Sequence, residues 1–311
     1  MASAPAKTIL FGEHAVVYGE PSIACAIDLR TKAKISKSDK IEIKSRDVIK
    51  TDVDAILDRE NMRNKSELRY ILTAIDKTFE KIGKEKNFSL EIDSNIPVGV
   101  GLGSSASVVA STICALSNFL KEPLEIKEIS ELAYEVELEV QGAASRIDTS
   151  VVTYGGGILV KGSDVRLIDV NLPLVIGNTG IKGDTGKLVS MVRERRERNP
   201  EIIDRIIASI GNITLKALDA LKNKDHNKIG ELMDINHGLL DSLGVVTREL
   251  SELVHLARRE GSLGAKMTGA GGGGCIIAYA PGKENNVVKA IREAGYSSFI
   301  SSISKEGVRL E

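Results

Sequence analysis

Two glycine clusters are places where bare backbone could meet a ligand. The first reads P-V-G-V-G-L-G-S-S-A at 97–106, running Pro97, Gly99, Gly101, Leu102, Gly103, Ser104, Ser105 and Ala106. Glycine lets the chain approach a ligand closely, and successive N–H groups can aim at one anion. A helical pattern starts directly after the glycines, and a helix N-terminus adds unpaired donors and the positive end of a dipole. A serine hydroxyl there suits a Mg2+ ion held by phosphates. The chemistry is phosphate binding; the alternative is a tight strand-to-helix turn with no ligand. The spacing matches neither the Gly-Lys-Ser/Thr loop nor the dinucleotide fingerprint.

The second cluster reads K-M-T-G-A-G-G-G-G-C at 266–275. Gly269, Gly271, Gly272, Gly273 and Gly274 do not suit a helix or strand interior. Such a loop can press its backbone against a ligand or another loop, or be a flexible hairpin turn. At the other end of the chain, Lys7 opens a short apolar run that Gly12, Glu13 and His14 close. Charges at both ends of a buried strand can line a site; singly, they also read as a surface lysine and a structural histidine.

Two carboxylates complete the set. Glu137 borders the apolar stripe of a helical segment, and a carboxylate turned toward a core needs a partner, for which a metal is suited. Asp148, in S-R-I-D-T at 145–149, stands where the chain is expected to leave that helix and enter a strand. It could accept a proton from a substrate hydroxyl or serve as a turn residue.

The elements that must position these residues follow from periodicity. Strands are expected at 8–11, 23–35, 40–44 and 88–92, and a helix at 66–81. Residues 104–120 read as a buried helix with Ser104 or Ser105 as its N-cap. Residues 126–141 read as an amphipathic helix with Gly142 just past its end. Segments 149–161 and 165–170 read as a hairpin, and 174–176 as a strand. Helices are expected at 184–198, 201–222, 228–243 and 247–260. A strand–turn–strand (264–280), a helix (283–294) and a strand (298–304) close the chain. The order suggests two α+β domains, 1–175 and 176–311.

Composition bounds the reading. The 311 residues are 42% hydrophobic and 27% charged with net charge -1, an ordinary globular balance with no field favouring nucleic acid or anionic membrane. Arg193, Arg195, Arg196 and Arg198 alternate with glutamates and read as a solvated face. Cys25, Cys114 and Cys275 are too dispersed for a disulfide framework or zinc site and fit a reducing cytoplasm. No signal peptide is read, and no apolar run reaches the ~18 residues of a membrane span.

These segments, in this order, resemble the GHMP family of small-molecule kinases over nearly the whole chain. Within it, F-G-E-H-A-V-V-Y-G-E-P at 11–21 is similar to the branch acting on mevalonate, closest to archaeal forms; the Thr-Asp-Tyr that follows G-E-H in galactokinases is absent. The resemblance implies a ribosomal-protein-like N-terminal domain with a left-handed βαβ crossover and a ferredoxin-like C-terminal domain with added helices, with the site in the cleft between them. It implies ATP as co-substrate, Mg2+ held by Ser105 and Glu137, Asp148 as base and Lys7 stabilising developing charge. Glu13, His14, Arg146 and Gly271 would face mevalonate, Arg146 through its carboxylate. The oligomeric state is not set, and a homodimer stays open.

Overall fold

The computed structural model describes residues 1–45, 68–142 and 145–311. Among these residues the strands form two sheets of seven and four. Strand β1 (Ala2–Phe11) is buried throughout and pairs antiparallel with the long β2 (Ser22–Lys37). The other edge of β2 is divided. Its first residues, 22–25, pair with β5 (Gly157–Lys161), and residues 31–37 pair with β4 (Phe88–Ser94). Strand β6 (Asp164–Ile168) forms a hairpin with β5. Strand β3 (Glu42–Ser45) lies parallel to β4, which requires a crossover connection, and helix α1 (Arg69–Ile82) stands in it.

Helix α2 (Ser104–Phe119) is buried on nearly every side, as its apolar and small residues all round require. It lies among α1, α3 (Ile126–Gln141) and the sheet, in a core holding Ile71, Ile75, Val109, Ile113, Leu116 and Val136. Phe88 meets Phe79 and Phe119 edge to face.

The second sheet runs β10 (Ser297–Ser301), β7 (Leu174–Asn178), β9 (Cys275–Tyr279), β8 (Gly264–Met267), all antiparallel. Counted in its own chain order this is 4-1-3-2, the ferredoxin-like arrangement. Four helices lie between β7 and β8: α5 (Thr185–Arg198), α6 (Pro200–Lys222), α7 (His226–Ser242) and α8 (Arg248–Arg259). Helix α9 (Glu284–Glu293) joins β9 to β10. One apolar core runs through both halves, joining Leu10, Phe11 and Ile23 to Leu174, Met233 and Ile277. No described helix is long and apolar enough to cross a membrane.

Three expectations change. Residues 149–154 are not strand: α4 (Arg146–Tyr154) is helical, and the hairpin starts at Gly157. Thr149, Val151, Val152 and Thr153 favour strand by propensity. Packing overrides it, because Ile147 and Val151 lie one helical turn apart against Ile9, Ala24 and Ala26. The N-cap of α2 is Gly103, in the left-handed conformation, so neither Ser104 nor Ser105 caps. β7 belongs wholly to the second sheet, and the expected division at 175/176 falls within it. Finally, a short strand β11 (Arg309–Leu310), absent from the sequence reading, returns to pair with β1. The start of the expected helix 66–81 lies outside the described residues.

Candidate active site

The site is organised around the outer edge of β1. A strand edge left bare exposes unpaired N–H and C=O groups. Here different segments occupy it in turn. Ser107 Oγ, from α2, donates to Ala4 O (2.7 Å). Lys7 N–H donates to Leu102 O of the first glycine loop (3.0 Å). The Thr268 hydroxyl accepts from Ile9 N–H (3.0 Å) and donates to Ile9 O (3.1 Å). Both glycine loops are thus docked on the strand that carries Lys7.

The first loop alternates anchors and bare backbone. Val100 and Leu102 are buried in the shared core, whereas Gly99 and Gly101 are exposed. Gly99, Gly101 and Gly103 all have positive φ, which an L side chain resists. Gly103 has a second reason. A Cβ there would lie 2.5 Å from Lys7 Cγ, so the lysine stem crosses directly over the start of α2. Ser104 and Ser105 occupy the first turn, half-buried, with no capping duty to hold their hydroxyls.

Lys7 is 3% exposed, and its Nζ stands 3.0 Å from Asp148 Oδ1. Asp148 lies in the first turn of α4, where the helix dipole favours a negative charge. Glu137, on α3, is buried, and its carboxyl is pushed up to about 8, first by burial and then by the negative charge of Asp148, with Lys7 opposing. A carboxyl so placed favours a cation beside it. The Glu137 carboxylate and the Ser105 hydroxyl are oxygen donors of the kind a hard ion takes, with its remaining ligands from phosphates. No group of three or more His, Cys, Asp or Glu side chains placed to hold a metal ion is present among the described residues.

The raised Glu137 pKa has a measurable consequence in metal-free protein. At pH 4 the carboxyl is protonated both folded and unfolded, and it costs nothing. Between its ordinary value of 4.5 and about 8 the unfolded chain ionises while the folded one stays neutral, so stability falls as pH rises, by a few kcal/mol on the order-of-magnitude scale. Glu137→Gln should therefore gain melting temperature relative to wild type on going from pH 5 to pH 8.5. A constant difference across that range would show that Glu137 is not held protonated.

The remaining expected residues are placed differently from one another. Glu13 is fully buried, paired to Lys266 and bonded by Asn236 Nδ2 (3.2 Å). His14 donates from Nε2 to Ala270 O (2.8 Å), which fixes its tautomer, and burial holds its pKa down. Both side chains tie the end of β1 to the second glycine loop. The Arg146 guanidinium stacks over the Tyr134 ring, 4.3 Å from its centroid, so the aromatic face is its partner in this structure. Gly271 packs on the loop before α8, where a Cβ would meet Val245 O at 2.2 Å. The second glycine loop lies on the first: a Cβ on Gly101 would approach Thr268 O at 3.6 Å, and one on Gly274 would meet Val100 O at 2.8 Å.

Sequence reasoning missed Thr268, Lys266 and Asn236. Thr268 and Lys266 lie inside the glycine motif already singled out, and their polarity beside apolar strand residues was a usable signal. Asn236 lies on α7 with nothing local to mark it.

Comparison with known proteins shows the family and the fold. Residues 69–156 match the GHMP kinases N-terminal domain model, and 217–297 match the GHMP kinases C-terminal model. The chain is 48% identical to a mevalonate kinase of Pyrococcus abyssi, covering all of this chain and 97% of that one. It is 37% identical to a mevalonate kinase of Archaeoglobus fulgidus, covering 100% and 99%. Among solved structures, the Methanococcus jannaschii mevalonate kinase superposes with TM-score 0.86 at 35% identity, covering 97% of this chain and 98% of that one. The L. major mevalonate kinase in complex with R-mevalonate superposes with TM-score 0.83 at 27% identity, covering 97% and 94%.

Proposed function

The chain belongs to the GHMP kinases, and from that premise we propose that it transfers the γ-phosphoryl group of ATP to the C5 hydroxyl of mevalonate, giving 5-phosphomevalonate and ADP. The observation that carries the reading is the Lys7–Asp148 ion pair at 3.0 Å, set against the start of α2 where the phosphate loop ends. The relatives at up to 48% identity, named as mevalonate kinases, support the choice of acceptor.

In this reading the backbone N–H groups of 99–105 and the N-terminus of α2 hold the phosphates. Asp148 takes the C5 hydroxyl proton as the O–P bond forms and the bond to the leaving β-phosphate oxygen breaks. Lys7, paired with Asp148, stabilises the negative charge that develops on the attacking hydroxyl oxygen. Positioning and charge stabilisation supply most of the rate in phosphoryl transfer. Ser105 and Glu137 would hold Mg2+, which when bound neutralises charge on the β- and γ-phosphates. Glu13 and His14 act on the acceptor side by fixing the second glycine loop against the end of β1. The three cysteines are free and buried, which suits a reducing cytoplasm.

The direct test is ADP release with mevalonate, phosphomevalonate, galactose and homoserine offered separately. Turnover with mevalonate far above the others is expected. Preference for another acceptor would move the chain elsewhere in the family, and tight ATP binding without turnover on any would make it a nucleotide sensor.

A further inference from the structure

A kinase loop without lysine has to find its phosphate cation elsewhere. None of Pro97 to Ala106 is basic, and Lys7 is engaged with Asp148. A second lysine reaches the same loop from the other half of the molecule. Lys182 lies between β7 and α5, and its stem runs over Gly99: a Cβ built on that glycine would stand 3.1 Å from Lys182 Cδ and 3.2 Å from its Cγ. The absence of a side chain at 99 is what lets the stem lie there.

The segment carrying Lys182 is held firmly. Thr179 donates from both its N–H and its hydroxyl to Gly274 O, each at 2.9 Å. Gly274 N–H returns a bond to Ile181 O, the carbonyl just before Lys182, at 2.7 Å. Gly183 sits so close to the second glycine loop that a Cβ would meet Gly271 O at 2.4 Å. The backbone on both sides of Lys182 is thus fixed to the second glycine loop, which itself lies on the first. The Lys182 residue is exposed, and no carboxylate lies within ion-pair distance of its ammonium among the described residues. An unpaired cation delivered over a lysine-free phosphate loop is placed to meet a polyanion.

We infer that Lys182 is a nucleotide-phosphate contact supplied by the second domain, filling the role that the loop's own lysine fills in Gly-Lys-Ser/Thr proteins. The inference rests on the ATP-dependent reading above and adds a residue to it. Because a lysine acts here as a point charge at the end of a flexible stem, arginine at the same place keeps most of the effect, and an uncharged isostere does not.

The experiment uses the full chain with Lys182→Met and Lys182→Arg. Exposure of the residue predicts melting temperatures close to wild type for both. Calorimetric titration with a non-hydrolysable ATP analogue, ADP and AMP should show Lys182→Met weakened about tenfold or more for the triphosphate and unchanged for AMP, with Lys182→Arg near wild type. Steady-state assays should show the KM for ATP raised and the KM for mevalonate unmoved. Equal weakening for ATP and AMP, or unchanged ATP affinity in Lys182→Met, overturns the assignment. The two readings fail separately. Wild-type turnover of mevalonate with no Lys182 effect removes only the lysine. A phosphate-dependent Lys182 effect without mevalonate turnover removes only the acceptor. A wild-type protein that binds no ATP removes both.

Discussion

Asp148→Asn should lower kcat by about a thousandfold or more while leaving ATP affinity close to wild type. The argument starts from position. Asp148 stands in the first turn of α4 with Lys7 Nζ 3.0 Å from its Oδ1. The amide occupies the same volume and can still accept from Lys7, so the fold and the cleft survive. What it lacks is a basic oxygen to receive the hydroxyl proton. General base catalysis by a placed carboxylate contributes typically 10²–10⁴-fold. The phosphate loop is a separate element anchored by Val100 and Leu102, so nucleotide binding should not follow the loss. Single-turnover and steady-state kinetics, with nucleotide titration alongside, read both quantities. Turnover within tenfold of wild type would make Asp148 an orienting residue and remove it as base.

The second large effect concerns stability. Lys266 and Glu13 form an ion pair with neither side chain exposed, and Lys266 also donates to Met267 O at 2.7 Å. Burial pushes the Lys266 ammonium down, and Glu13 pulls it back up. Breaking such a pair from one side leaves an uncompensated buried charge and costs about 3–5 kcal/mol. Lys266→Met should therefore melt on the order of 10 °C below wild type, with a matching shift in denaturant midpoint. Replacing both partners, Glu13→Leu with Lys266→Met, removes the stranded carboxylate and should recover much of the loss, since apolar replacements of buried pairs are often neutral. A single variant melting within two degrees of wild type would show that the pair bears no load.

The legible part of this molecule was what local pattern encodes. The P-V-G-V-G-L-G-S-S-A loop is bare glycine backbone leading into a helix, as its residues suggested, and α3 buries Glu137 because the residue borders the apolar stripe. The misread part was what distant packing decides. Residues 149–154 carry a β-branched run, and only contact with Ile9, Ala24 and Ala26 makes that run helical. The Ser104 hydroxyl looked like a cap because serine is a good one, yet Gly103 takes the left-handed turn that Lys7 needs above it. Glu13 pairs with Lys266, and nothing local in the sequence marks a partner 253 residues away.

Strand β1 presents Lys7, and its outer edge begins at Ala2, paired with Leu310. During synthesis these two pairing partners leave the ribosome more than three hundred residues apart. Thr268, which covers Ile9, also emerges late. Until then the nascent N-terminal half displays an unfinished margin, open to other extended chains. The strand that carries Lys7 is thus among the last to be closed, and a chain interrupted before residue 268 should be captured by chaperones rather than accumulate as a folded half-enzyme.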